Sequence, residues 1–141
     1  MKSCELCESP GGTILWQDDR CRVVRVGGAE GLAFPGYCRV VWHGHVREMT
    51  DLTVAKRHHL LDVVVATEAT VLALVQPDKI NLACLGNVVP HLHWHVIPRW
   101  GADSHFPAPI WAAACRPVPA RALPDDADLA AALAARLGAT S

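Results

Sequence analysis

The stretch His91-Leu92-His93-Trp94-His95-Val96-Ile97-Pro98-Arg99 decides how the rest of the chain is read. Side chains on a β-strand alternate between its two faces. A strand here puts His91, His93 and His95 on one face and Leu92, Trp94 and Val96 on the other. At roughly 3.3 Å per residue, neighbouring histidines on that row lie about 6–7 Å apart. Three histidines can simply line a polar sheet face. Strict alternation against a clean apolar face points instead to chemistry. Neutral imidazole ligates Zn²⁺. It also attacks phosphorus to give a covalent intermediate. On these residues alone both uses stay open.

Working outward, a turn at Gly86-Asn87 and then Pro90 precede the histidine strand, which runs from His91 to Ile97 and ends at Pro98. Lys79 to Leu85 reads as another strand. Thr50 to Gln76 carries the one long helical pattern, with Thr53 or Asp51 as its cap and Pro77 as its stop. Leu60, Leu61, Val64, Val71, Leu72 and Val75 recur at helical spacing and are expected in the core. Earlier, Ile14-Leu15-Trp16 and Cys21 to Val26 read as strands around the turn Asp18-Asp19, and Tyr37 to Trp42 as a third after Pro35-Gly36. Gly27, Gly28 and Gly31 mark a loop. Trp100 to Pro124 holds five prolines and little periodicity, and reads as an irregular arm. Asp125 to Leu137, acidic first and then Ala/Leu-rich, predicts a short helix. The order β-β-β-α-β-β indicates an α+β fold with a largely antiparallel sheet.

The chain has 141 residues, 51% of them hydrophobic and 19% charged, enough for one domain with a real core. We therefore read 1–141 as a single domain, with 1–12 as an N-terminal cysteine-pair segment and 100–141 as the arm and terminal helix. Thirteen basic and fourteen acidic residues give a net charge of −1, which argues against binding a nucleic-acid polymer but not one small anion. The N-terminus lacks the apolar stretch of a signal peptide, and no apolar run reaches the roughly 18 residues of a membrane span, so no membrane partner is expected. Eight histidines and six cysteines stand out. A chain of this size needs no disulfides, so a cytoplasmic location with mostly free thiols is expected. Cys21, Cys38 and Cys84 fall in strand patterns and read as small buried hydrophobes. His58 and His59, beside Lys56 and Arg57, read as a solvated basic turn, and Arg99 as facing an anionic substrate or solvent.

The pattern His-apolar-His-apolar-His-apolar-apolar resembles the histidine-triad (HIT) family of nucleotide hydrolases and transferases. Gly86-Asn87-Val88-Val89-Pro90 before it and Pro98-Arg99 after it resemble bacterial members. The likeness runs from about Cys4 to Arg99. It implies a HIT-like fold of about five antiparallel strands with one long helix, commonly paired as a homodimer, and no organic cofactor. It implies that His93, the middle histidine, attacks the α-phosphorus of a small nucleotide substrate. The nucleotidyl-histidine is then cleaved by water. His95 would donate to a phosphate oxygen or to the leaving group. Asn87 matches a position that contacts phosphate in relatives, and Asn81 could reach ribose or phosphate. Tyr37 stands where many relatives carry a fourth histidine after the Pro-Gly turn, and a phenol still supplies a donor there. No acidic or Asn residue near Val26 to Ala29 matches the usual ribose contact, and Val88 replaces a common Ser.

Cys4-x-x-Cys7 is a weak motif by itself, open to free thiols, a redox pair or zinc. Some HIT relatives, and the related hexose-phosphate uridylyltransferases, join an N-terminal cysteine pair to a histidine after the third strand and to the first triad histidine. The resemblance therefore implies a structural Zn²⁺ on Cys4, Cys7, His45 and His91, with His43 as the substitute for His45. Two other functions compete with the enzyme reading: a nucleotide-binding HIT module with little or no turnover, and a hydrolase whose three histidines hold a catalytic ion. The cysteine pair, which completes a closed site, speaks against the latter.

Overall fold

The computed structural model describes residues 3–141. In chain order the elements are α1 (Glu5–Glu8), β1 (Thr13–Gln17), β2 (Cys21–Arg25), α2 (Gly28–Ala33), β3 (Cys38–Trp42), α3 (Val54–Val75), β4 (Lys79–Ala83), β5 (His93–Arg99) and α4 (Asp126–Leu137). The strands form one antiparallel sheet in the order β1-β2-β3-β5-β4. The α+β class, the five strands, the long helix and the terminal helix agree with the sequence reading.

Alternation divides the sheet into two faces. Val23, Cys38, Val40, Ile80, Leu92 and Val96 join the core beneath α3 and α4. Val24, Val41, His93, His95 and Ile97 lie on the other face. β5 is interior, paired with β3 from His93 to Val96 and with β4 from His95 to Arg99. Pro98 was expected to end the strand but lies inside it. It falls beyond the last β3 pairing, where a missing N–H costs the ladder least. His91, in turn, stands just before β5.

Three further expectations are corrected. The Gly27–Gly31 loop is a short helix, α2, where a Cβ on Gly31 would come 2.3 Å from the Val26 carbonyl oxygen. On α3 the buried arc is Leu60, Val63, Val64, Thr67, Thr70 and Val71, so Leu61 and Leu72 are exposed. Thr67 and Thr70 can take core positions because their hydroxyls donate to the Val63 and Ala66 carbonyls. Cys84 lies past the end of β4 and is exposed. None of the six cysteines is in a disulfide. At 22 residues α3 is long and apolar enough to cross a bilayer by composition, but its inner arc packs on the sheet as a core helix does.

Thr53 caps α3 by accepting from the Lys56 N–H, and Asp125 caps α4 by accepting from Ala127. Past α4 the tail returns to β1. The Gln17 N–H donates to Thr140 Oγ1 and its carbonyl accepts from the Ser141 N–H.

Candidate functional site

The site grows from the residues around β5. His91 is fully buried, and its Nε2–H donates to the Trp42 carbonyl at 2.6 Å. That bond puts the proton on Nε2 and leaves the Nδ1 lone pair facing inward. Nδ1 lies 3.3 Å from Cys4 Sγ, 3.5 Å from Cys7 Sγ and 3.3 Å from His45 Nδ1. Cys7 Sγ is also 3.5 Å from His45 Nδ1. The four expected ligands thus meet at one point, where they could hold a metal ion. His43 turns away, accepting from Arg22 at Nδ1 and donating from Nε2 to the Asp18 carbonyl.

The cysteine pair is placed by local structure. Cys4 caps α1, and one turn later Cys7 N–H donates back to its carbonyl, so the spacing puts both thiols on one side. Leu6 packs on Val24 and Val41. Arg22, buried in β2, donates to the Leu6, Ser9 and Pro10 carbonyls and pins the segment to the sheet. The sequence reading passed over Arg22. Its signal was an arginine set between the apolar residues Cys21 and Val23 of that strand.

His93 donates from Nδ1 to the His91 carbonyl at 2.5 Å, so its Nε2 carries a free lone pair. Gly86, at φ 71°, brings the preceding loop alongside; a Cβ there would lie 3.9 Å from His93 Cε1. His95 lies 2.6 Å from the Tyr37 hydroxyl through Nδ1. Burial pushes the phenol up to about 12, so it keeps its proton. With no other acceptor among the described residues, the phenol donates to Nδ1, and the His95 proton sits on Nε2. Trp111 of the arm sets its ring against His95, 5.0 Å between centroids.

The other expected binding residues are distributed differently. Tyr37 is fully buried and holds His95. Asn81, opposite Ile97 on the sheet face that carries His93 and His95, accepts from Arg99 through Oδ1. Asn87 is exposed in the loop beside His93. Arg99 faces neither substrate nor solvent: its guanidinium forms a buried pair with Asp103 at 2.8 and 3.1 Å. His59 is not merely solvated but pairs with Asp18 at 2.6 Å.

His91, His93 and His95 titrate low. Burial depresses His91 and His93, and burial together with His93 and Arg39 takes His95 down to about 3. An unfolded histidine takes its proton near pH 6.5. Below that value, and down to about 3, the unfolded chain binds more protons at His95 than the folded chain does. Stability therefore falls as the pH is lowered through this window. The expected result is a urea midpoint that declines from about pH 6.5 to about pH 4, and less steeply in His95→Gln. Equal slopes in the two proteins would remove His95 as a cause.

Comparison with known proteins gives a consistent picture. A family model described as the HIT domain matches residues 12–101. Two curated relatives from Mycobacterium tuberculosis strains, each described as AP-4-A phosphorylase, are 31% identical over 78 residues, covering 51% of this chain. The match spans 40% of the length of those relatives. Among solved structures, a histidine triad protein from Marinobacter aquaeolei aligns at 26% identity with a TM-score of 0.71, over 96% of this chain and 95% of that one. One from Bradyrhizobium japonicum aligns at 23% identity with a TM-score of 0.70, over 97% of each chain, a likeness of fold. With the family model spanning most of the chain and the three histidines where the triad requires them, this protein belongs to the HIT family.

Proposed function

We propose that the chain is a nucleotidyl hydrolase or transferase that cleaves at the α-phosphate of a nucleotide conjugate, of dinucleoside polyphosphate or nucleoside phosphoramidate type. The observation that carries this reading is the His93 imidazole. Its Nδ1–H is held by a backbone carbonyl, its Nε2 is free, and a donor, His95 Nε2–H, stands beside it. A neutral, oriented imidazole is what attack on phosphorus requires. His93 Nε2 forms the N–P bond while the bond to the leaving group breaks and that group takes the electron pair. His95 Nε2–H hydrogen-bonds the oxygen on which charge develops. Water then attacks phosphorus and gives up a proton to solvent, the N–P bond breaks, its electrons return to Nε2, and the nucleotide departs. Asn87, in the loop beside His93, is positioned to meet phosphate. The relatives described as AP-4-A phosphorylase support nucleotide processing. The test is intact-mass analysis after mixing with an adenylated substrate. An adenylyl adduct that is absent in His93→Ala is expected. Turnover without any adduct, even in a slowed His95 variant, would overturn the covalent step, and no turnover on a broad nucleotide panel would favour a binding module.

The reading includes a structural zinc on Cys4, Cys7, His45 and His91. With Zn–S near 2.3 Å and Zn–N near 2.0–2.1 Å, a tetrahedral site has S···N edges of about 3.5 Å and N···N edges of about 3.3 Å. The edges of 3.3–3.5 Å between these donors fit that frame. The His91–Trp42 carbonyl bond is the outer support such a ligand needs. A site closed by four protein ligands supplies structure, tying the N-terminal segment to the catalytic strand. One zinc per chain is expected, lost in Cys4→Ser with a fall in melting temperature of about 10 °C or more. Protein purified without chelator yet free of metal would refute this.

The same proposal treats 1–141 as one domain and the protein as a cytoplasmic homodimer. The free thiols and the exposed Leu61, Val65 and Leu72 on the outer face of α3 support it. Sedimentation of the full chain gives the test: a monomer at micromolar concentration would remove the dimer.

A further inference from the structure

Arg39 has appeared so far only as a positive charge near His95. It lies on β3 directly across from His95 on β5, on the sheet face that carries His93. Its guanidinium carbon stands 5.5 Å from the centre of the Tyr37 ring, whose hydroxyl holds His95. A guanidinium offers five N–H donors and no acceptor.

The chain's two most deeply buried arginines use theirs fully. Arg22 donates to three carbonyls and His43. Arg99 donates to both Asp103 oxygens, Asn81 and the Ala108 carbonyl. Arg39 does not. Among the described residues its Nη1 meets the Gly11 carbonyl at 3.4 Å and its Nη2 lies 3.7 Å from the carboxylate of Glu30, a half-exposed side chain. Its Nε is buried and has no partner. Buried donors are normally satisfied. A cation with donors to spare, next to two imidazoles placed for phosphoryl chemistry, is matched to an anion that arrives with the substrate.

We propose that Arg39 is a specificity-determining residue that binds phosphate oxygens of the leaving group, so that the site favours nucleotide conjugates whose leaving group is an anionic phosphate or phosphate chain over those that release an amine. This rests on the nucleotidyl-transfer reading and narrows it. The electron balance fits. As His93 Nε2 bonds to the α-phosphorus, the bridging P–O bond breaks and its pair stays on the departing phosphate oxygen. That group leaves as an anion, needs no proton, and is held by Arg39. An amine leaving group must gain a proton on nitrogen. His95, with one ring proton and its Nδ1 occupied by Tyr37, has none to spare without drawing on the phenol.

The experiment has two arms on the full-length, metal-replete protein. In the first, binding of AMP, ADP and ATP is measured in a His93→Ala background, so that turnover does not intervene. Affinity is expected to rise at least about tenfold from AMP to ATP with Arg39 present. Arg39→Leu is expected to remove that rise while leaving AMP within about threefold, and Arg39→Lys to keep part of it. In the second arm, kcat/KM is compared for diadenosine tetraphosphate and an adenosine phosphoramidate. Arg39→Leu is expected to lower the first by about tenfold or more and the second by less than about threefold. Equal losses on both substrates, or on AMP and ATP alike, mark a structural role and overturn the proposal, as does an affinity that does not rise with phosphate number. If the phosphate-dependent binding holds but wild-type protein turns over neither substrate, the Arg39 subsite stands and the enzymatic reading falls. If turnover occurs without Arg39 discrimination, the reverse follows.

Discussion

Replacing His93 by alanine is expected to lower kcat by at least about 10⁴-fold, the loss typical when a covalent nucleophile is removed from a preorganised site. The neighbouring groups stay in place. Tyr37 still holds His95, the His91 carbonyl is freed of its one side-chain donor, and Asn87 and Arg39 still line the face. Whatever rate remains measures binding and electrostatics without covalent chemistry. Substrate affinity is expected to change little, because His93 is assigned to the reacting phosphorus and not to holding the nucleotide. The measurement is single-turnover kinetics with saturating substrate, accompanied by zinc content and a melting curve as controls for folding. A variant that keeps a tenth of wild-type turnover would exclude His93 as nucleophile.

The second large effect concerns stability. Asp103→Ala is expected to cost about 3–5 kcal/mol, the penalty for stranding one member of a buried ion pair. Asp103 is 0% and Arg99 1% exposed. The Asp103 carboxylate accepts both Arg99 bonds and also the N–H groups of Trp100, His105 and Phe106. Burial alone would raise this carboxyl. Arg99 and the three backbone donors instead hold it down at about 2. Alanine would leave a buried guanidinium with only Asn81 and the Ala108 carbonyl, and would free the turn that starts the arm. Trp111, carried by that arm, would then lose its fixed place against His95. Urea unfolding at neutral pH gives the test. A loss below about 1 kcal/mol would mean that the pair contributes no more than a surface bridge. Replacing Arg99 and Asp103 together by apolar residues of similar volume is expected to cost less than Asp103→Ala, because no charge is left stranded.

How much of this was legible in the sequence depends on the range of the interaction. The histidine strand was readable because its period of two is local, and the order of elements along the chain followed from short strands broken by Gly and Pro, whereas the spatial order of the strands came only with the structure. The fate of Leu61 and Leu72 was not readable, because one helix has two apolar sides and only the packed structure decides which faces inward. Of the site, Cys4, Cys7, His45 and His91 came together as expected. The roles of Arg22, Asp103 and Trp111 were not readable, since no local period ties Arg22 to the N-terminal segment, Asp103 to the turn after β5 or Trp111 to His95. The contact of Tyr37 with His95 was hidden for a related reason. A phenol beside phosphate and a phenol behind an imidazole look the same until the third strand's register against β5 is known.

The tail that returns to β1 has a consequence for assembly. It occupies both backbone polar groups of Gln17, and the irregular pairing between Ile14 and Trp16 twists the rest of that edge. Unpaired strand edges template further strands, and proteins blunt them by covering or bulging. Here one side of the sheet is blunted and the other, β4, is open, with Leu82 exposed on it. A sheet with a single open side can accept one neighbour and then has nothing left to offer. Copies that meet β4 to β4 close as a pair, and the same geometry that permits the pair forbids the fibre.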